Sequence, residues 1–286
     1  MAQARAHGSS RVTPKHDSAT AAMIGGLPMY LGNKAGVEAL WRQLAPRLRA
    51  HGMAWVSDTP IWPEVYLAHW RDPALLFTQA CGYPLVTALR GQVRVIGAVR
   101  YDVPGCTGAL QRSQVVVRAA DPAATLADLR GRRVAFNGTD SQSGYNSLRA
   151  LVAPLAHSGT FFASHLETGG HLCSVMAVRD GLADVASIDC VSLAEFRKHT
   201  PEAPRGIRVL CESEAYPGLP LITAAGTEDT TLASLRSALA QAVADPELAP
   251  LWMDLFITGF EPLDEAAYHT CTAMQDSALA LGYPAL

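Results

Sequence analysis

Asn137-Gly138-Thr139-Asp140-Ser141-Gln142-Ser143-Gly144-Tyr145 lies where one kind of secondary structure gives way to another. Before it, Arg133 to Asn137 reads as a strand. After it, Leu148, Leu151, Val152 and Leu155 fall at i, i+3, i+4 and i+7, on one face of a helix spanning residues 143 to 155. A buried strand that turns directly into an amphipathic helix is the repeating unit of an α/β layer. The helix start is also suited to an anion. Its first N–H groups have no intrahelical partner, the macrodipole puts partial positive charge there, and Ser141 and Ser143 add hydroxyls. Gly144 leaves room for a ligand against the backbone. The same serines can equally act as plain helix caps.

Working outward, strand and helix patterns alternate, which predicts α/β lobes with largely parallel sheets. Val37, Leu40, Trp41, Leu44 and Leu48 recur at helical spacing, with Gly52 as a stop, and a strand is expected at Ala54–Val56. Leu75–Gln79 reads as a buried strand, Cys81-Gly82-Tyr83-Pro84 as a strand-to-helix turn, and Gln92–Val99 as a further strand. Gln114–Val117 is a strand beyond a first crossover near residue 112, and Thr125–Leu129 a short helix. Helices are expected at Leu172–Arg179 and Val191–Lys198, with a strand at Val185–Ile188 between them. Ile207–Cys211 reads as the strand returning the chain to the first lobe, and Leu219–Ala224 as another strand there. The remainder reads as helical, with Thr230 capping a helix that carries Leu232, Leu235, Leu239 and Val243, and a terminal helix over Ala266–Leu281 ended by Gly282. The expected division is a disordered leader over 1–22, a first lobe from 23–111 plus 208–286, and a second lobe over 112–207.

The 286 residues are 49% hydrophobic and 17% charged, a globular profile, and the net charge of −3 gives no overall reason to bind nucleic acid or an anionic membrane. An anion site must then be local. No apolar run approaches the roughly 20 residues that a membrane helix needs, so no membrane insertion is expected. The six cysteines lack C-x-x-C or zinc-like spacing, so no metal or other cofactor is expected, and they read as small buried residues of a reducing compartment. Residues 1–22 lack the continuous apolar core of a secretory signal, and Met23 is an alternative start.

Two further turns resemble the first. Glu167-Thr168-Gly169-Gly170-His171 again lies between a strand and a helix, and His171 can donate to an anion or simply be satisfied by the backbone. Ala186-Ser187-Ile188-Asp189 places a carboxylate at a third strand end, where it can accept from an amino group or hydroxyl of a ligand, or cap the next helix. Tyr30, Trp62, Tyr66, Trp70 and Tyr83 are candidates for an opposite wall, although a packing role suits most of them. Tyr83 stands apart because its turn follows a strand end.

The run Leu126-Ala127-Asp128-Leu129-Arg130-Gly131-Arg132-Arg133-Val134-Ala135-Phe136 is followed by Ser141-Gln142-Ser143-Gly144-Tyr145, then Phe161-Phe162, Thr168-Gly169-Gly170-His171 and Gly181-Leu182-Ala183-Asp184-Val185-Ala186. In order and spacing these pieces resemble the PhnD-like, phosphonate-binding branch of type 2 periplasmic binding proteins. The likeness is specific over about residues 112–225 and looser elsewhere, where Gln79-Ala80-Cys81-Gly82-Tyr83-Pro84 takes the place of a ligand-facing turn. It implies a clamshell of two α/β lobes joined by crossover strands and closing on a small anion, for delivery to an ABC permease. It carries ligand-binding roles over to Ser141, Ser143, Gly144 and His171; Gln142 and Tyr145 of the same run, with Asp189, Tyr83 and Gly82 at their strand-end turns, complete the candidate ligand-binding residues. Gln142 stands where the family usually has Thr, and its longer amide brings carboxylates and sulfonates into range. The family is exported, whereas residues 1–22 show no signal, so periplasmic and cytoplasmic placement both stay open. An enzyme on the same scaffold, of the thiamine-pyrimidine synthase kind, would draw on His171, Asp189 or Cys81. No nucleophile and base pair is legible, and the Cys-rich motif of those relatives is absent, so the expectation is a binding protein without catalysis. A cytoplasmic ligand sensor is the remaining alternative.

Overall fold

Leu75-Leu76-Phe77 and Val115-Val116-Val117 are too continuously apolar to face water on either side, and each becomes a strand with helices on both faces. The computed structural model describes residues 23–286, so the expected leader lies outside the described residues. The chain begins with β1 (Ile24–Gly26), α1 (Lys34–Ala50), α2 (Tyr66–Trp70), β2 (Leu75–Gln79), α3 (Gly82–Val86) and β3 (Val93–Tyr101). It leaves through β4 (Leu110–Gln111) to β5 (Ser113–Arg118), β6 (Arg133–Phe136), α4 (Ser147–Val152), β7 (Ser164–Glu167), α5 (His171–Arg179), β8 (Val185–Asp189), α6 (Cys190–His199) and β9 (Ile207–Glu212). It returns through β10 (Tyr216–Pro217) to β11 (Pro220–Ala224), α7 (Asp229–Ala244), α8 (Ala249–Asp254), β12 (Ile257–Glu261) and α9 (His269–Ala280).

The strands form two five-stranded sheets, ordered β1-β2-β11-β3-β12 and β7-β6-β8-β5-β9. The segments that carry the chain out and back, β4 and β10, pair with each other antiparallel, Tyr216 against Gln111 and Pro217 against Leu110. On one face of the first sheet α1, α7 and α8 bury Trp41, Leu44, Leu239 and Trp252; on the other, α2, α3 and α9 bury Trp70, Leu85 and Cys271. The second sheet is covered by α4 on one face and by α5 and α6 on the other. The C-terminal segment belongs to both halves, since Cys271 packs under the first sheet while Ala278 and Tyr283 join Leu148 and Val152 under the second.

Several expectations change. The sheets are mixed: β11 runs antiparallel to both β2 and β3, and β5 runs antiparallel to both β8 and β9. A strand that enters a lobe from the crossover runs against those built by local βαβ turns. The Ile207–Cys211 strand does not return the chain to the first lobe, because β9 pairs with β5 in the second sheet. A central strand as apolar as β5 needs both edges hydrogen-bonded, and β9 supplies the second partner. The Ala54–Val56 strand shrinks to one bridge between Val56 and Met23. The region after residue 225 is not all helix, since β12 pairs with the long β3. Thr230 sits inside α7, whose N-cap position is Glu228. The helix expected over 143–155 begins as a π-turn, Gln142–Asn146, before α4, and ends as a 3-10 turn.

Candidate functional site

The strand β6 ends at Phe136, and the next residues turn so that Ser141 caps the π-turn, its Oγ accepting the Gly144 N–H at 3.0 Å. The neighbouring Gln142 N–H reaches across to the first lobe and donates to Cys81 Sγ at 3.3 Å. Ser143 Oγ lies 2.8 Å from His171 Nε2, so the two strand-to-helix turns meet. The backbone carbonyl of Ser143 takes hydroxyl bonds from Ser147 and Ser187, at 2.9 and 2.7 Å. Burial lowers the His171 pKa to about 4, so the ring is neutral at pH 7. Its Nδ1 is buried without a protein partner. A neutral imidazole and a hydroxyl hold two protons between them, and their mutual bond uses one. Either Nδ1–H or the Ser143 O–H is therefore left as a free donor, whichever tautomer forms.

A second cluster gathers at the end of β8. Asp189 Oδ1 accepts the Ser192 N–H at 2.9 Å and so caps α6. Its Oδ2 takes a bond from Gln111 Nε2 at 2.7 Å, with the Tyr30 hydroxyl at 3.4 Å. Glu195, one turn further on, accepts the Gly32 N–H of the first lobe at 3.0 Å. Burial raises Asp189 to about 6 and Glu195 to about 7. Lys198 of α6 also crosses to the first lobe, where its Nζ lies 2.7 Å from Asp254 Oδ1. With these contacts made, the cavity left among Tyr30, Gln79, Tyr101 and Glu195 is about 10 Å³, room for one water. The two lobes are in contact along this seam. A hollow of about 580 Å³ beside Arg94, Arg236 and Phe260 involves none of these groups.

The structure brings Ser141, Ser143, the Gln142 backbone and His171 together, and sets Asp189 in the acidic cluster. The other expected site residues turn elsewhere. The Gln142 side chain points to α9, accepting from Asn146 at 2.9 Å and donating toward Met274 Sδ at 3.2 Å, so its amide adds nothing at the helix start. Gly144 is small for its neighbours rather than for a ligand, because an added Cβ would sit 1.9 Å from Asn137 Oδ1 and 3.3 Å from His171 Cε1. Gly82 packs on Cys271 and Tyr268. Tyr83 and Tyr145 flank the buried Arg149 guanidinium, 6.0 and 5.4 Å from the ring centroids, and Arg149 ties down Asn146 and the Pro284 carbonyl, both at 2.8 Å. Tyr66 and Trp70 are tied to the Pro28 and Gln79 carbonyls, and Trp62 lies under Lys34. Of the six cysteines, Cys81, Cys190 and Cys271 are buried as expected, whereas Cys106 and Cys211 are half-buried and Cys173 is exposed.

Tyr101, Gln111 and Glu195 are not anticipated from the sequence, and Gln79 and Asn137 stand in runs already singled out but carry no role of their own there. Gln79 Nε2 donates to the Tyr101 hydroxyl at 2.9 Å, while its Oε1, Gln111 Oε1 and Asn137 Oδ1 are buried without partners. Gln79 had a signal, being the polar last residue of an apolar strand, where ligands of open α/β sheets collect. Glu195 had none, since only the lobe contact buries it. Among the described residues no group of three or more His, Cys, Asp or Glu is placed to hold a metal, and no helix is long and apolar enough to cross a membrane.

Residues 75–268 match the sequence profile of a family described as the periplasmic substrate-binding proteins of phosphonate ABC transporters. None of the curated proteins matches the chain by sequence. Among solved structures, the binding-protein component of a phosphonate ABC transporter from Pseudomonas aeruginosa superposes with a TM-score of 0.74 at 16% identity, covering 91% of this chain and 87% of its own. PhnD1 from Prochlorococcus marinus in complex with methylphosphonate gives 0.70 at 14%, covering 90% and 97%. The alkanesulfonate-binding protein SsuA from Xanthomonas axonopodis pv. citri bound to MOPS gives 0.61 at 15%, covering 91% and 93%. The fold is thus the expected one, the two-lobed α/β clamshell of type 2 periplasmic binding proteins.

Proposed function

The chain belongs to the phosphonate ABC-transporter family of periplasmic substrate-binding proteins, a family of carriers rather than enzymes, and from that premise we propose that it clamps a small oxyanion at the Ser141–His171 corner. In this reading the protein works in the periplasm and hands its ligand to the permease of an importer. The observation that carries it is the free donor shared by Ser143 and His171, set against a helix start whose own caps are a hydroxyl and a thiol. Neutral caps leave the partial positive charge of the helix end uncancelled, so an incoming oxyanion gains both the field and the hydrogen bonds. As the lobes part, Cys81 leaves the Gln142 N–H, which the anion takes over. Asp189, with the partnerless Gln79 and Gln111 oxygens, favours a ligand whose other end carries hydrogen-bond donors.

The test is a thermal-shift screen with methylphosphonate, phosphate, methanesulfonate and acetate, followed by calorimetry on the best of them. A ligand at about 100 times its Kd stabilises the folded state by about 2.7 kcal/mol. Ser143→Ala and His171→Ala should each weaken binding by about 1–3 kcal/mol. A screen in which no oxyanion raises Tm, or variants that bind as tightly as the parent, would overturn the proposal.

A further inference from the structure

Cys106 and Cys190 are free thiols 84 residues apart in sequence whose Sγ atoms lie 3.5 Å from each other. Both are presented by rigid pieces of chain. Cys106 closes the turn Val103-Pro104-Gly105-Cys106, in which the Cys106 N–H returns to the Val103 carbonyl at 3.1 Å and Gly105 has a φ of 101°. Proline followed by a left-handed glycine is the pattern of a type II turn. Gly105 has a second reason to be glycine, since a Cβ there would stand 2.9 Å from the Cys190 Cβ. Cys190 opens α6 directly after Asp189, the capping residue at the centre of the acidic cluster. The turn belongs to the segment leading from β3 to the crossover β4, whereas α6 follows β8 of the second sheet; at the seam Cys190 enters the core of the first lobe and Cys106 packs against it.

We propose that Cys106 and Cys190 form a reversible disulfide that staples the two lobes in their closed arrangement and so makes ligand exchange redox-dependent. The ligand-exchange part rests on the reading that the lobes must part to admit an oxyanion. The oxidant is a disulfide, either a small molecule such as oxidised glutathione or a protein dithiol oxidase of an oxidising compartment such as the one in which this family works. Cys106 is the half-exposed member and attacks first. Its thiolate breaks the oxidant's S–S bond, forms a mixed disulfide and expels one thiolate, which takes up a proton. Cys190 then loses its proton and attacks the Cys106 sulfur, expelling the second thiolate. Two protein thiols are oxidised and one disulfide is reduced to two thiols. The hydrogen bond between the two thiols and burial push the Cys190 pKa up, and burial still does so once Cys106 carries the mixed disulfide, which makes the second step the slow one.

The experiment exposes the full chain to oxidised glutathione and maps cross-links by mass spectrometry, then follows amide hydrogen exchange at Gly32, whose N–H is bonded across the lobes to Glu195. The expected result is a 106–190 cross-link, reversed by dithiothreitol, with Gly32 exchange slowed at least about tenfold in the oxidised form. Cys106→Ser and, independently, Cys190→Ala should abolish both changes. Two free thiols at these positions after oxidation, or a mixed disulfide that stops at Cys106, overturns the proposal. So does a 106–190 link that leaves Gly32 exchange unchanged. Neither readout uses a ligand, so failure here is separate from failure of the oxyanion reading.

Discussion

Two helix starts in the second lobe meet the same electrostatic demand in opposite ways. The α6 start is capped by a carboxylate, Asp189, bonded to the Ser192 N–H, so its positive end is answered from within the chain. The start at Ser141 is capped by neutral groups, the Ser141 hydroxyl and the Cys81 thiol, and the α5 start beside it has Gly170 at the cap position with no side-chain bond. A single lobe thus carries one helix end already paired with negative charge and two adjoining ends that are not. The difference shows why an oxyanion is expected at one corner and a hydrogen-bond donor at the other.

The contrast breaks most sharply if the neutral start is given the acidic cap. Asp caps a helix as well as Ser does, but Ser141 is buried, so Ser141→Asp should lower Tm by a few degrees while keeping the fold. It should cost methylphosphonate binding about 3 kcal/mol or more, on the order of a hundredfold, because the ligand then meets a like charge. Calorimetry beside a thermal melt checks both halves. Intact binding with a retained fold would mean that the cap's charge is irrelevant to the ligand.

The acidic corner makes its own prediction about pH. Asp189 and Glu195 have folded pKa values of about 6 and about 7, above their ordinary 3.8 and 4.5. The folded state therefore holds these protons more tightly than the unfolded chain does. Their contribution is full below the ordinary values and is lost as pH rises through 6 and 7. His171 runs the other way: with a folded value of about 4 against 6.5, it contributes above 6.5 and loses that contribution as pH falls toward 4. Between pH 6.5 and 8 the carboxyl pair governs. Glu195→Gln keeps an acceptor for the Gly32 N–H and should flatten the decline in stability over that range, a change of under about 1 kcal/mol by urea denaturation. An unchanged slope would place Glu195 in water.

A smaller effect distinguishes the thiol from the ligand it stands in for. Cys81, pushed up to about 11 by burial, is a neutral thiol that occupies the Gln142 N–H. Cys81→Ala removes this competitor and should tighten oxyanion binding by about 0.5–1 kcal/mol. Weaker binding would show that Cys81 helps to hold the ligand.

What the sequence discloses about these corners follows from how local each feature is. Ser141, Ser143 and His171 stand just after strand ends and at helix starts, a pattern carried within about ten residues, and that pattern is legible. The Asp189 cap is legible for the same reason. Glu195 and Gln111 acquire their roles only when the lobes meet, and nothing in Leu193-Ala194-Glu195-Phe196 distinguishes a buried carboxylate from one facing solvent. The side chain of Gln142 looks available in sequence yet is taken by Asn146 and Met274, because α9 returns from more than a hundred residues away. Among the strands, β2, β3, β6 and β8 are plain from their apolar runs. The sheet that β9 joins depends on which edge β5 leaves open, and β12 is masked by the helical pattern before it.

An oxyanion should distinguish these two kinds of helix start, and amide NMR during a methylphosphonate titration shows whether it does. The prediction is a saturable shift of the Gln142, Ser143 and Gly144 amide resonances, with His171 following at the same midpoint. The Ser192 amide, held by Asp189, should report only the closing of the lobes and show no hydrogen bond to the ligand. A ligand-bonded Ser192 amide, with Gln142 to Gly144 left undisturbed, would contradict the account.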